Sequence, residues 1–124
     1  MNKENLIFVL PEQMDEESME YSEVVNWAFH NLTNSSVMVL SNDDVYQLQY
    51  KSEVINIINV ENNSMLEKYE DDWIFDDEVK VRTIQKLKSY FSSITSDRIK
   101  EIVTEILRLL ELSVSRHKNI YFHL

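Results

Sequence analysis

The stretch DRIKEIVTEILRLLELSVS, residues 97–115, decides how the rest of the chain is read. Ile99, Ile102, Val103, Ile106, Leu107, Leu109, Leu110 and Leu112 recur at spacings of three and four and cover a wide stripe of a helix. So wide a stripe predicts a central core helix that touches neighbours on more than one side. Thr95, Ser96 and Asp97 ahead of it form a break with N-cap chemistry. After it, NIYFHL sets Ile120 and Phe122 opposite Tyr121 and His123, the two-residue period of a strand.

Working outward, Val81, Ile84, Leu87, Phe91 and Ile94 predict a helix at about 79–93. At the other end, Leu6 to Leu10 (LIFVL) form a continuous apolar run closed by Pro11, the lone proline, and read as a buried strand. Tyr21, Val24, Val25, Ala28 and Leu32 give one face of a helix over about 15–32, its early acids suiting the positive end of the helix dipole. Val37 to Leu40 is a second short strand. VYQLQY alternates from Val45 to Tyr50, and EVINIINV is rich in β-branched residues, so the two are expected to form an antiparallel hairpin turning near Lys51 and Ser52. Residues 61–78 are expected to hold a short helix, with Met65, Leu66, Tyr69 and Trp73 on its face, followed by a loop.

The fold class expected from this order is α+β. It has a small, mostly antiparallel sheet of four or five strands packed by three or four helices on one face, all in a single domain over 1–124. Apolar residues make up 44% of the chain, enough to build a core.

Composition excludes several chemistries. There are no cysteines, which removes disulfides, thiolate nucleophiles and cysteine-based zinc sites. There is no glycine, where a chain of this length would ordinarily carry about nine. Phosphate-cradling loops and the G-x-S-x-G nucleophile turn both depend on glycine, so a nucleotide-dependent enzyme is not expected. Positive-φ turns fall to asparagine, with Asn34, Asn42, Asn62, Asn63 and Asn119 as candidates. His30, His117 and His123 lack metal-ligand spacing, and DDWIFDDE lacks the spacing and glycine of a calcium loop. The expectation is no catalytic residues, no metal and no cofactor. The N-terminal apolar run is too short for a secretory signal and no run approaches a membrane span, so a cytoplasmic protein is expected.

Charge is the strongest functional signal. The formal net charge is −10, yet residues 1–78 carry 18 acids and 3 lysines while residues 79–124 carry 4 acids and 9 bases. One acidic cluster is Glu12, Asp15, Glu16, Glu17, Glu20 and Glu23. The other runs from Glu67 to Glu78 with aromatic residues interleaved. Its centre, Tyr69, Glu70, Asp71, Asp72, Trp73, Phe75, Asp76 and Asp77, is the candidate partner-binding site. Trp and Tyr are enriched among binding hot spots, and surrounding acids would steer in a basic partner. The same composition also suits a solvated face with aromatic core anchors.

These features predict a non-enzymatic inhibitor of the immunity or antitoxin kind. It would be a bacterial protein that blocks a basic toxin, such as a nuclease, by covering its active site. An adaptor or regulatory subunit docking through a sheet edge or the Trp73 segment is the alternative. A monomer or weak dimer is expected, with no membrane and no direct nucleic-acid partner.

Overall fold

A computed structural model describes residues 4–124. Its four strands are β1 (Asn5–Val9), β2 (Val37–Leu40), β3 (Asp71–Ile74) and β4 (Ile120–His123). They form one antiparallel sheet in the order β2-β1-β4-β3. Five α-helices accompany it: α1 (Tyr21–Phe29), α2 (Asn42–Tyr50), α3 (Val54–Asn62), α4 (Asp77–Phe91) and α5 (Asp97–Arg116). The α+β class is therefore as the residue pattern predicts.

β1 is buried along its whole length because both faces of the sheet are covered. Ile7 and Val9 join Ile120 and Phe122 of β4 in a core filled from α2 to α5. Leu6 and Phe8 face the other way, with Tyr121, onto Val24 and Ala28 of α1. Helices thus lie on both faces rather than one. The helix at the centre of the larger core is α5, where Ile99, Ile102, Val103, Ile106, Leu109 and Leu110 are buried. Ser96 caps it by accepting from the Ile99 N–H at 3.2 Å.

Two expectations are corrected. Residues 45–50 and 54–59 are not a hairpin but parts of α2 and α3. Ser41 Oγ accepts from the Asp44 N–H at 3.0 Å while Asp44 accepts from the Ser41 N–H at 3.1 Å, a capping box that starts a helix. Val45 with Leu48, and Val54 with Ile55 and Ile58, are then buried at helical spacing. Packing has overridden β-branched preference. Likewise 15–32 is not one helix. Asp15 caps a single 3₁₀ turn at Glu16–Ser18, and Glu23 accepts from the Glu20 N–H at 3.1 Å to begin α1 afresh. Side-chain acceptors compete with the backbone and split the helix.

Among the described residues, positive φ occurs at Asn63, Tyr69 and His117. Asn63 and His117 are left-handed C-caps of α3 and α5, so asparagine takes only one of the turns expected of it.

Leu110 is fully buried and Leu107 only partly. Leu110→Ala should therefore cost about 2–5 kcal/mol in urea unfolding, and Leu107→Ala distinctly less. A second prediction concerns acid. Arg98 hydrogen-bonds Asp44 at 2.8 and 3.0 Å and holds its carboxyl below the usual carboxylate range. A lowered folded-state pKa stabilises the fold at neutral pH, and that contribution is lost as pH falls below about 4. Asp44→Asn should lower stability at pH 7 and flatten the acid limb of a stability–pH curve. The effect should be modest, because the guanidinium is half exposed.

Candidate partner-binding surface

Residues 71–74, expected in a helix or loop, are the edge strand β3, paired with β4. Strand alternation separates their side chains. Ile74 turns into the large core, whereas Trp73 lies opposite Tyr121 in register and faces the α1 side. Trp73 is 44% exposed, and its ring stands 5.8 Å from that of Tyr21 and 6.4 Å from that of Tyr121, centroid to centroid. It is neither a core anchor nor a free side chain.

The other candidates are placed by distinct local causes. Asp71 hydrogen-bonds His123 across the strand pair. Asp72 accepts from the Trp73 N–H at 2.8 Å, and Asn62 donates to the Trp73 carbonyl at 3.1 Å. Those two contacts occupy the Trp73 backbone groups and so blunt the outer edge of β3, weakening the case for strand addition there. Asp76 caps α4 by accepting from the Glu78 and Val79 N–H groups at 2.8 and 3.2 Å. Asp77 reaches Lys80 at 3.2 Å and His117 at 3.8 Å. Phe75 is 72% exposed and Tyr69 68%. Tyr69 donates its N–H to the Leu124 carbonyl at 2.9 Å.

The second acidic segment folds onto the same side. Both Glu16 carboxylate oxygens accept from the Asn119 N–H at 3.1 Å, and Oε1 also accepts from the Tyr121 hydroxyl at 2.9 Å. Lys118 Nζ bonds the Met14 carbonyl, and Arg116 bonds that of Leu10 at 3.1 Å. The loop before α1 is thereby tied to β4, beside β3. Segments 12–23 and 67–78, far apart in sequence, meet around Tyr21, Trp73 and Tyr121. Tyr21, Asn119 and Tyr121 are absent from the candidates read from sequence. The alternation in NIYFHL does place Tyr121 on the face away from Ile120 and Phe122, but nothing local says what covers it.

Burial pushes both tyrosine hydroxyls well above their ordinary range. The Asp71 charge adds to this at Tyr21, and the Glu16 hydrogen bond adds to it at Tyr121.

Lys80 and Arg82 reach Asp77 and Glu78 at the end of segment 67–78, and the other ion pairs of Lys and Arg with carboxylates among the described residues lie outside both acidic segments. Arg98 pairs with Asp44 and Glu101, Arg82 with Glu61 and Glu78, Lys88 with Glu111, and Arg108 with Glu105. Among the described residues no base forms an ion pair with any carboxylate of segment 12–23. Glu12, Asp15, Glu17, Glu20 and Glu23 are exposed there. Also among the described residues, no cluster is arranged to hold a metal ion, and no helix is long and apolar enough to cross a membrane.

Fold and surface together define an acidic α+β protein that displays uncompensated carboxylates around an aromatic patch. The family model for the DNA-mimic protein DMP12 matches residues 3–124, and the chain belongs to that family. It is 26% identical over 125 residues to the DNA mimic protein DMP12 of Neisseria meningitidis serogroup B, with 99% of each chain covered. The solved structure of a Neisseria DNA mimic protein DMP12 matches over 100% of both chains with a TM-score of 0.75 at 23% identity, a likeness of fold. This family assignment overturns the expectation of an immunity or antitoxin protein directed at a basic toxin. Size and acidity suit any partner with a basic nucleic-acid-binding surface, so composition could not tell a toxin from another DNA-binding protein.

A pH prediction follows from the tyrosines. A raised folded-state pKa contributes stability below the unfolded value, and this is lost as pH rises past about 10. Tyr121→Phe should shallow the fall in urea stability above that pH. Ultraviolet titration should show two tyrosines that stay protonated until the protein unfolds.

Proposed function

We propose that the chain binds a DNA-binding protein and occupies its DNA-contacting surface in place of DNA. The observation that best supports this is the convergence of segments 12–23 and 67–78 on one side of the molecule, the first without ion pairs among the described residues. DNA offers roughly one negative charge per 1.7 Å of axis, and its binding proteins neutralise phosphates with Lys and Arg. Carboxylates fixed on a folded surface meet the same cations.

Several of these carboxylates are restrained before any partner arrives. Asp15 and Asp76 serve as caps, Glu23 accepts from the Glu20 N–H, and Asp71 bonds His123. Less side-chain freedom is then lost on binding. In this reading Tyr69, Glu70, Asp71, Asp72, Trp73, Phe75, Asp76 and Asp77 form part of the interface. The protein works by binding rather than catalysis, in the cytoplasm where DNA-binding proteins are found.

The test is competition. The immobilised chain is exposed to host proteins that bind duplex DNA–cellulose, and the retained proteins are challenged with free duplex DNA. Release that rises with DNA concentration, and retention that falls steeply with salt, are expected. Retention unchanged by excess DNA overturns the proposal. With a captured partner in hand, Asn at Asp71, Asp72, Asp76 and Asp77 together should slow association, since the charges steer encounter. Asn at position 76 preserves capping chemistry. Trp73→Ala should instead speed dissociation, costing about 2 kcal/mol or more of affinity.

A further inference from the structure

Between the start of α1 and β3 lies a pocket of about 240 Å³. Sites for drug-sized ligands run from about 300 to 1,000 Å³, so this one suits a single side chain. Its lining includes the rings of Tyr21, Trp73 and Tyr121, with centroids 5.8–6.4 Å apart, together with Glu16 and Asn119.

One acceptor of that lining, Asn119 Oδ1, is buried with no hydrogen-bond partner, while the Tyr21 hydroxyl has the Asp71 carboxylate beside it. Buried polar atoms nearly always find a partner, so an orphan acceptor in the pocket wall points to a ligand that donates a hydrogen bond. Glu16 beside it is in no ion pair among the described residues, and its Oε2 accepts only from the Asn119 N–H. Asp71 and Asp72 add negative potential at Tyr21. Aromatic faces, a free acceptor and an uncompensated carboxylate together favour a cation. Among cations, a guanidinium fits best. It is planar, stacks on rings, is weakly hydrated and carries five donors, whereas a lysine ammonium is a compact, strongly hydrated point charge.

We propose that this pocket receives one arginine side chain of the bound partner, its guanidinium lying against the aromatic rings and donating to Asn119 Oδ1 and Glu16. The source of that arginine rests on the DNA-mimic reading. A DNA phosphate has no aromatic cage, so the pocket adds a contact that DNA cannot offer. It would select, among basic proteins, those with an arginine in the right place.

The probe is N-acetyl-arginine-N-methylamide, titrated into the isotope-labelled protein and followed by NMR. Its citrulline and lysine counterparts serve as controls. Saturable shifts are expected at the Trp73 indole, Tyr121 and Asn119. Binding of the citrulline compound should be at least about tenfold weaker, as loss of charged hydrogen bonds implies. Glu16→Gln and Trp73→Ala should each weaken the arginine compound without moving the other acidic segments. Trp73 stands at the sheet edge, so that variant keeps the test open if Glu16→Gln fails to fold. Shifts that spread unsaturated over all exposed carboxylates, or that survive Trp73→Ala in folded protein, overturn the pocket. DNA-displaceable capture with no arginine site sinks the pocket alone. An arginine site without such capture leaves the pocket standing and sinks the DNA-mimic reading.

Discussion

The pairing of β1 with β4 is the constraint on which the rest depends. It joins residues more than a hundred positions apart, in the register Leu6↔His123, Ile7↔Phe122, Phe8↔Tyr121 and Val9↔Ile120. Both sheet faces are covered, so a slip of one residue would exchange the two sets of side chains and wreck both cores. The same register carries the Phe8 and Tyr121 rings into a stacked pair at 5.2 Å and sets Trp73 beside Tyr121. The aromatic patch is thus an extension of the core out to an edge.

Concentrating acids on one side works against folding, because like charges repel and the repulsion grows as they are fixed in place. The structure offsets this locally. Asp15 and Asp76 lie at N-termini of helical segments, where orphan N–H groups and the helix dipole favour negative charge. Glu16 meets two donors, the Asn119 N–H just before β4 and the Tyr121 hydroxyl on it. Lys118 and Arg116 hold the acidic loop through its backbone carbonyls and leave its carboxylates free. The pairs Arg98–Asp44, Arg82–Glu61, Lys88–Glu111 and Arg108–Glu105 lie within the helical layer, whereas Asp77 and Glu78, paired with Lys80 and Arg82, end the acidic segment.

How much of this was legible in sequence depended on the range of the interaction. α5 was readable because eight apolar residues repeat on one helical face. Val37–Leu40 and Ile120–His123 were readable because short apolar or alternating runs between polar breaks have few other homes. α2 and α3 were misread because six residues of alternation also satisfy a helix when only Val45 and Leu48 need burial. The capping box at Ser41 and Asp44 was the signal to weigh against β-branched composition. The acidic segments and Trp73 were visible as composition. Their meeting was not, since it depends on Glu16 reaching Asn119 and Tyr121 from a distant part of the chain. Nor could composition name the partner, because the carboxylates look alike to every basic surface.

Sheet order has a temporal consequence. Among the described residues β3 pairs with no strand but β4, and β4 is made some fifty residues after it. While the ribosome is still adding α4 and α5, Asp71, Asp72 and Trp73 have no strand to dock on, and Glu16 has neither Asn119 nor Tyr121 to hold it. The nascent chain is acidic throughout that interval but lacks the arranged surface. The surface is assembled only once β4 has been made and can pair with β1 and β3.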